Sequence, residues 1–319
     1  MKLLIVRFSS IGDIVLTSPI PRIAKSQLGA TVHYVTKAKF TSLLDKNPNI
    51  EKVYYFNQNI NEIIPFLKEE KYDFVIDLHN NLRSNILISK LRIKAYRLDK
   101  KNWDKWLMVN FNKRIAISHI VDRYIDTIKP LGGKNDGKGL EFYYNIDTQF
   151  TSHFMVPAKY ICISMGAKHF TKKIPIDLLI KIISNTENNI VLIGGKDVIE
   201  DAFKIENSID KPIINLVGKI SLQQSAQIID NSQKVLTSDT GMMHIAAALK
   251  KETIVLWGNT VPEFGMYPYY GDINVKTTNF EVVGLRCRPC SKIGFNACPK
   301  EHFKCMNEQH LEEIINNLN

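Results

Sequence analysis

Short, wholly apolar segments alternate with helix-like patterns along this chain, in two successive series. Such segments are typical of strands buried on both faces, as in parallel sheets that helices cover on both sides. The alternation therefore predicts an α/β fold with crossover helices between strands. The predicted strands cover residues 3–6, 32–35, 74–76, 160–164, 190–193, 213–216, 235–236 and 254–256.

A glycine-rich stretch at residues 131–139 separates the two series. A chain of 319 residues has room for about two domains. We predict two Rossmann-like domains, residues 1–155 and 156–319, whose parallel sheets face each other across a cleft. The tail, residues 308–318, has the pattern of a short amphipathic helix, and we expect it to pack back on the N-terminal domain.

The positive charge of the chain is concentrated in its first half. Residues 1–150 hold 24 Lys and Arg against 15 Asp and Glu, whereas the remaining residues hold 18 against 17. This asymmetry indicates an anionic partner, with a solvated charged face as the alternative. No apolar run approaches the roughly 20 residues that span a bilayer. The N-terminal apolar run is too short for a signal sequence, so we expect a cytoplasmic protein.

Asp13 is a candidate general base. It lies in RFSSIGDIVLTSP, residues 7–19, where the first strand gives way to a polar turn and a helix. A carboxylate at the carboxyl edge of a sheet can take a proton from a substrate hydroxyl. The alternative is an Asp that complements the helix dipole. Ser10 and Gly12 of the same turn are candidates for contacting the donor or its phosphates, although the turn lacks the G-x-G-x-x-G pattern of dinucleotide sites.

A second turn, residues 237–241, follows a strand and opens a helix of small residues. The free N–H groups and the dipole at such a helix start favour a phosphate. The candidate donor-binding residues are Asp239, Thr240, Gly241 and His244. An ordinary N-cap explains Asp239 or Thr240 alone, but not the whole set.

Charged side chains follow two further strands of the second series. Lys168 and Lys172 lie in the loop at residues 164–175 and can place positive charge near a phosphate. A basic surface loop is the alternative. Glu200 follows the pair Gly194-Gly195 and can accept hydrogen bonds from ribose hydroxyls, with a solvent-facing helix Glu as the alternative.

Four cysteines near the end of the chain form the pattern C-x-x-C-x7-C-x6-C. They are Cys287, Cys290, Cys298 and Cys305. Four thiols can hold tetrahedral zinc, so the pattern gives a candidate structural zinc site, with free or buried thiols as the alternative. The chain has no D-x-D motif, so no metal is expected in the chemistry. A basic loop and helix N-termini would then stabilise a leaving diphosphate.

Together these motifs resemble glycosyltransferase family 9, the ADP-heptose:lipopolysaccharide heptosyltransferases. The resemblance covers most of the chain and is carried by S-x-G-D-x-x-x-x-x-P, VIDLHNNLRSNIL, GAKHFTKKIP, VLIGG and S-D-T-G-x-x-H-x-A-A. It implies a GT-B fold and inverting transfer of heptose from ADP-heptose to the lipopolysaccharide inner core. The alternatives are a GT-B enzyme with another nucleotide sugar and acceptor, and a Rossmann-fold NAD(P)-dependent oxidoreductase.

The resemblance also implies roles for particular residues. Asp13 matches the general base, Lys172 a lysine that contacts the diphosphate, and Glu200 a ribose-binding acid. The block from Asp239 to His244 matches the donor-binding block. The family's K-x-W-P appears here without its tryptophan, as Lys172-Lys173-Ile174-Pro175.

The partners that the resemblance implies are an ADP-sugar donor and a lipid-linked, anionic saccharide acceptor at the cytoplasmic face of the inner membrane. No nucleic-acid partner is expected. Candidate acceptor contacts are Arg7 and Arg83, and the basic stretch at residues 90–105 is a further candidate for acceptor or membrane-surface contact.

Overall fold

The computed structural model describes residues 1–319, residue 148 through its backbone alone. The described residues form two compact units. The N-terminal unit comprises Met1–Lys101, Ser118–Tyr143 and Tyr269–Ile273. The C-terminal unit comprises Asn102–Ile117, Tyr144–Pro268 and Asn274–Asn319.

Each unit contains one parallel sheet among its described residues. The N-terminal sheet consists of β1 (Lys2–Val6), β2 (Thr31–Lys37), β3 (Lys52–Phe56), β4 (Phe74–Asp77) and β5 (Ala95–Arg97), in the order β3-β2-β1-β4-β5. The C-terminal sheet consists of β6 (Ile161–Ser164), β7 (Ile190–Ile193), β8 (Ile214–Asn215), β9 (Lys234–Ser238), β10 (Glu252–Trp257) and β11 (Thr277–Glu281), in the order β11-β10-β9-β6-β7-β8.

Helices connect the strands in both units. They are α1 (Ile11–Leu16), α2 (Pro19–Leu28), α3 (Ile64–Glu69), α4 (Leu82–Leu91), α5 (Asn102–Phe111), α6 (Ile120–Ile128), α7 (Thr148–His153), α8 (Ile176–Asn185), α9 (Ile199–Asn207), α10 (Leu222–Asn231), α11 (Gly241–Ala248), α12 (Lys304–Asn307) and α13 (Leu311–Leu318). Short 3-10 turns occupy Ala38–Leu43, Ile60–Ile63, Lys129–Leu131, Phe170–Lys172, Lys196–Val198 and Pro262–Phe264.

The central strands are buried on both faces, which confirms the α/β prediction made from their apolar runs. All residues from Leu3 to Val6 on β1 are fully buried. On β6 the side chains of Cys162 and Ile163 are equally buried. Helices therefore cover both faces of each sheet, as expected for parallel strands.

Strand register brings several turns to one edge of each sheet. Val6 pairs with both Val35 and Asp77, so the turns after β1 and β4 are neighbours. In the C-terminal unit, Ser164 pairs with Ile193, and Ser238 pairs with Leu256. The turns after β6, β7, β9 and β10 therefore lie along the same edge, where open parallel sheets bind ligands.

The helical pattern after β1 is divided into two helices. α1 ends at Leu16, and α2 begins at Pro19 after the intervening Thr17 and Ser18. Proline lacks the N–H group that a continuing helix needs, but it is well suited to the first position of a new one. The chain therefore turns at this point and α2 starts afresh.

The division of the chain at residues 155 and 156 stays a prediction, while the compact units change at Tyr143 and Tyr144. The hydroxyl of Tyr144 donates to Asp230 at 2.7 Å, and the backbone N–H of Asp147 donates to Gln227 at 2.9 Å. These bonds to α10 join the segment before residue 156 to the C-terminal unit.

The tail helix differs from its expected placement on the N-terminal domain. α13 packs against α8 of the C-terminal unit. Its apolar residues Ile314 and Leu318 are buried in the core of that unit. Burial of this apolar stripe explains why the helix lies there.

Candidate functional site

Asp13 is held in an ion pair at the carboxyl end of β1. Its carboxylate lies 2.7 Å from Nη2 of Arg7 and accepts hydrogen bonds from the N–H of Ser10 at 3.1 Å and from its hydroxyl at 2.8 Å. The side chain of Asp13 remains 24% exposed, whereas that of Arg7 is 11% exposed. The carboxylate of Asp13 thus binds the N-cap residue of α1 and is still accessible to solvent.

The electrostatic environment keeps Asp13 ionised. Burial alone would raise its pKa, but the charge of Arg7 and the hydrogen bonds from Ser10 lower the pKa to about 2. For Arg7, burial acts to lower the pKa, yet the neighbouring Asp13 carboxylate raises it. Asp13 is therefore in its proton-accepting form throughout the physiological pH range.

Arg7 is predicted to contact the acceptor, but in the structure its guanidinium binds groups of the protein itself. Its Nε donates to the carbonyl of Ser9 at 2.8 Å, and its Nη1 donates to the carbonyl of Leu78 at 2.6 Å. With Asp13 on Nη2, the guanidinium is committed to three internal partners. The fork geometry of Arg suits this task, so we assign Arg7 to fixing Asp13 and the turns around it.

Arg83, by contrast, is exposed on the first turn of α4. The pKa of Lys37 is lowered first by burial and then by the positive charges of Arg83 and Lys39. Lys37 is therefore close enough to both Arg83 and Lys39 to be repelled by them. A group of cations attracts an anion, and the acceptor contact of Arg83 stays a prediction.

The other two candidates in the first turn have structural surroundings. Ser10 is the N-cap residue of α1 and directs its hydroxyl to Asp13. Gly12 is buried within α1. The hydroxyl of Ser10 is thus engaged with Asp13 and Gly12 has no side chain, and their donor contacts stay a prediction.

His79 is a residue of this edge that the sequence reasoning did not select. It follows β4, and Asp77 accepts hydrogen bonds from the N–H groups of His79 and Asn80 at 3.0 and 2.8 Å. Its ring packs on Phe8 with centroids 4.8 Å apart. Burial and the charges of Arg7 and Lys100 lower its pKa to about 3, so the imidazole is neutral. The sequence feature that could have identified His79 is its position in DLHNN, directly after a predicted strand.

In the C-terminal unit, Lys172 and Asp239 form a second ion pair. Nζ of Lys172 lies 2.6 Å from Oδ2 of Asp239, and the hydroxyl of Thr260 donates to the same oxygen at 2.7 Å. Burial would raise the pKa of Asp239, but Lys172 and Thr260 lower it. The structure thus unites two predicted residues from different turns, and it adds Thr260, which follows β10.

The turn between β9 and α11 has the predicted form. Thr240 is the N-cap residue, with extended backbone, and Gly241 is the first residue of an eight-residue helix. His244 is buried on the first turns of α11, and its charge also contributes to lowering the pKa of Asp239. The N–H groups at the start of α11 consequently lie next to the Lys172–Asp239 pair.

Lys168 and Glu200 are exposed near the same edge of the sheet. Lys168 precedes His169, whose pKa is lowered by burial and by the charges of Lys168 and Lys172. Glu200 lies in the first turn of α9, after Gly194. A Cβ at Gly194 would lie 2.9 Å from Val198 and 3.1 Å from the carbonyl of Met165, so glycine permits the two turns to approach.

The loop that carries Lys172 is braced by the cysteine-rich segment. The hydroxyl of Thr171 accepts a hydrogen bond from the N–H of Phe295 at 2.8 Å, and the N–H of Thr171 donates to the carbonyl of Phe295 at 3.2 Å. A Cβ at Gly258 would come within 2.6 Å of the carbonyl of Thr171. Lys172 is therefore positioned by close backbone packing on both sides.

The four clustered cysteines line one small cavity of about 20 Å³, which Asn259 also lines. The amide of Asn259 is buried, and neither its Nδ2 nor its Oδ1 has a hydrogen-bond partner in the described structure. Burial and neighbouring thiols raise the pKa of Cys290 to about 11. Among the described side chains, however, no group of three or more His, Cys, Asp or Glu is placed to hold a metal ion.

The model of glycosyltransferase family 9 (heptosyltransferase) matches residues 61–300 of this sequence. Lipopolysaccharide heptosyltransferase 1 of Campylobacter coli is 24% identical over 294 residues, which cover 82% of this chain and 84% of the relative. Within the described part of the chain, no helix combines the length and the apolar character needed to cross a bilayer.

Two solved structures from Escherichia coli have the same fold. The ADP-heptose lps heptosyltransferase II superimposes with a TM-score of 0.69 at 19% identity, covering 99% of both chains. The heptosyltransferase WaaC with ADP gives a TM-score of 0.61 at 24% identity, covering 82% of this chain and 89% of that one. These likenesses confirm the predicted GT-B fold.

Proposed function

Because the chain belongs to glycosyltransferase family 9, the heptosyltransferases, we propose that it transfers heptose from ADP-heptose to the lipopolysaccharide inner core. The relative in C. coli is a lipopolysaccharide heptosyltransferase, and one E. coli neighbour is described with ADP. The observation that carries the proposal is a pair of charged clusters, one around Asp13 and the other around Lys172 and Asp239.

The C-terminal unit supplies the donor-binding groups in this proposal. An ammonium group has three N–H donors, so Lys172 can keep its bond to Asp239 while it contacts a phosphate. The N–H groups at Thr240 and Gly241 add the positive end of α11. These groups stabilise the negative charge that develops on departing ADP. Glu200 is exposed and free to accept bonds from ribose hydroxyls, and Lys168 adds positive charge near the phosphates.

The N-terminal unit supplies the base. The acceptor oxygen forms a bond to the anomeric carbon while the bond from that carbon to the phosphate oxygen breaks, and the electron pair leaves with ADP. The hydroxyl proton passes to the carboxylate of Asp13. A single displacement of this kind inverts the configuration at the anomeric carbon.

The low pKa of Asp13 keeps its carboxylate ready to accept a proton. A carboxylate with a pKa of about 2 is a weak base towards an alcohol. The hydroxyl becomes strongly acidic only as its oxygen bonds to the anomeric carbon. The carboxylate of Asp13 can then take the proton that the hydroxyl loses, and Arg7 serves to hold this carboxylate ionised and in position.

The acceptor in this proposal is anionic and lipid-linked, at the cytoplasmic face of the inner membrane. Its carboxylates and phosphates are suited to the cations Lys37 and Arg83. The basic stretch at residues 90–105 is suited to the anionic membrane surface. Transfer requires that both units act on one donor–acceptor pair.

The proposal is tested by transfer to a defined acceptor. Purified protein, ADP-heptose and an inner-core acceptor should give a product heavier by one heptose, with the new linkage inverted relative to the donor. ADP-glucose and UDP-glucose serve as matched donors. If the enzyme transfers sugar from either of these donors at an equal or higher rate, heptose is not its donor sugar.

We also propose structural zinc at the four C-terminal cysteines, which would stiffen the loop that braces Lys172. Its ligands would have to move together and lose protons, since the described arrangement does not present a ready metal site. Metal analysis should find one zinc per chain in the unaltered protein and in Cys162→Ala, but none in Cys287→Ser/Cys290→Ser. Unaltered protein that contains no metal and has full activity would contradict this proposal.

A further inference from the structure

α5 presents aromatic side chains to solvent. Trp103 is 68% exposed and Phe111 is 65% exposed, with Trp106 also exposed between them. The two indole rings stack with centroids 5.0 Å apart, and Trp106 contacts Phe111 edge-on at 5.5 Å. The three rings thus form one continuous ridge, which we call the aromatic ridge.

The opposite side of α5 is anchored in the C-terminal unit. Met108 is buried with Ile117, Val261 and Phe264, and Val109 packs against the same cluster. The backbone N–H of Ile117 also donates to the carbonyl of Glu263 at 3.4 Å. α5 is therefore anchored through a different face, and its aromatic ridge is exposed although the helix itself is packed.

Positive charge flanks the aromatic ridge along the chain. Residues 90–117 contain nine Lys and Arg against two Asp. Lys113 and Arg114 are exposed just after the helix, although Arg114 forms an ion pair with Glu263 at 2.6 Å. At the start of the helix, Nζ of Lys292 donates to the carbonyl of Asn102. The exposed Ile293 follows Lys292 in the chain. Apolar and cationic groups therefore lie together at both ends of α5.

We propose that α5 docks the protein on an anionic phospholipid bilayer, with the aromatic ridge inserted at the boundary between headgroups and acyl chains. Tryptophan favours this boundary because its ring is apolar and its N–H is polar. The surrounding Lys and Arg are attracted to anionic headgroups. A helix with aromatic residues on its exposed face and basic residues beside them has the composition of interfacial helices.

Charge complementarity selects a bilayer over the other occupants of such a ridge. A second copy of this chain would bring a net charge of +10 against the same sign. Stacking on an uncharged sugar would use the rings but would leave the flanking cations without a role, and an anionic saccharide is distinguished by the test with vesicles that carry none. The inference deepens the proposed function, since it names how the enzyme reaches a lipid-linked acceptor, but docking itself needs neither donor nor acceptor.

Tryptophan fluorescence offers a direct test, because the chain has three tryptophans and the third, Trp257, is buried. The probe is a vesicle of phosphatidylglycerol and phosphatidylethanolamine without any saccharide. Emission should shift to the blue and be quenched by brominated acyl chains, and the protein should float with the vesicles. Phosphatidylcholine vesicles or high salt should remove most of the binding.

The variant Trp103→Ala/Trp106→Ala/Phe111→Ala should bind the anionic vesicles at least about tenfold more weakly. The matched control is Phe66→Ala/Phe203→Ala, which removes exposed aromatic rings elsewhere and should bind normally. The ridge variant should also keep its rate on a water-soluble, delipidated acceptor. If the proposed function is wrong, the unaltered protein will also fail to transfer heptose from the donor to this soluble acceptor. The two proposals can therefore fail separately.

Three results would overturn the docking proposal. They are no binding of the unaltered protein to anionic vesicles, equal binding by the ridge variant, and quenching that reaches neither exposed tryptophan. Sedimentation without lipid gives a fourth such result. If the unaltered protein self-associates and the ridge variant does not, the ridge binds a second copy of the chain and the docking proposal is wrong.

Discussion

The two ion-paired aspartates each lie after a central strand of their sheet, but they serve different purposes. Asp13 follows β1, and Asp239 follows β9. Each faces a cation, Arg7 or Lys172, and each has a lowered pKa. A carboxylate at the carboxyl end of a central strand is thus common to both units.

The difference lies in which partner is fixed. Arg7 is tied to two backbone carbonyls, so the arginine holds the aspartate and leaves the carboxylate partly exposed. In the other pair, Asp239 is bound by Thr260 and is only 11% exposed, so the aspartate holds the lysine. Asp13 is therefore suited to accept a proton, and Asp239 to aim an ammonium group.

The largest effect is expected from Asp13→Asn. The amide cannot take the proton, so kcat should fall about 10³-fold, within the usual range for loss of a general base. The affinity for ADP should change little, because the donor-binding groups lie in the other unit. Steady-state kinetics and calorimetry with ADP measure the two quantities. A kcat within tenfold of the unaltered enzyme would remove Asp13 from the mechanism.

Lys172→Met should reduce kcat/KM by about 100-fold and weaken ADP binding. The change removes the charge that faces the departing diphosphate. Lys172→Arg is the matched control and should recover part of the loss, since it restores the charge with another geometry. ADP affinity equal to that of the unaltered enzyme would place the diphosphate elsewhere.

Arg7→Met should change the pH dependence more than the rate at neutral pH. Burial raises the pKa of Asp13 and Arg7 counteracts it, so without Arg7 this pKa should rise above its ordinary value of about 3.9. Activity is then lost as the pH falls through the new pKa. An acidic limb should appear above pH ~4 in the pH–rate profile and be absent from Arg7→Lys. Identical profiles for the unaltered enzyme and Arg7→Met would contradict the assigned role.

Asp239→Asn should have the smallest effect of the four, about a tenfold loss of ADP affinity with a smaller loss of saturated turnover. The lysine keeps its charge but loses the group that aims it. Thr260→Val, which removes only the bond to the same oxygen, should change the affinity in the same direction and by less. A larger loss of turnover than for Asp13→Asn would reverse the comparison.

The sheets and the turns that carry these residues could be predicted because they depend on local patterns. The strand β7 is apolar throughout, as is β1 after Lys2, and the turn after β9 has its own polar signal. Strands β3, β5 and β11 escaped prediction because they are only partly buried and carry polar residues. α5 was missed because its aromatic residues face solvent while Met108 is buried, so its sequence has no clear apolar stripe.

The pairings within the candidate site could not be predicted. The sequence indicated Lys172 and Asp239 separately, but their contact depends on the neighbouring positions of β6 and β9. Arg7 was expected to contact the acceptor because a basic residue in a polar turn has no visible partner in the sequence. Its carbonyl partner at Leu78 lies just after β4, more than seventy residues away in the chain.

The rate of a single turnover tests the division of labour most directly, because it reports bond formation without substrate binding or product release. Enzyme in excess, saturated with ADP-heptose, is mixed with acceptor and quenched on the millisecond scale. The account predicts that Asp13→Asn slows this step about 10³-fold, whereas Asp239→Asn slows it less than about tenfold. An equal loss in both variants, or a larger loss in Asp239→Asn, would contradict it.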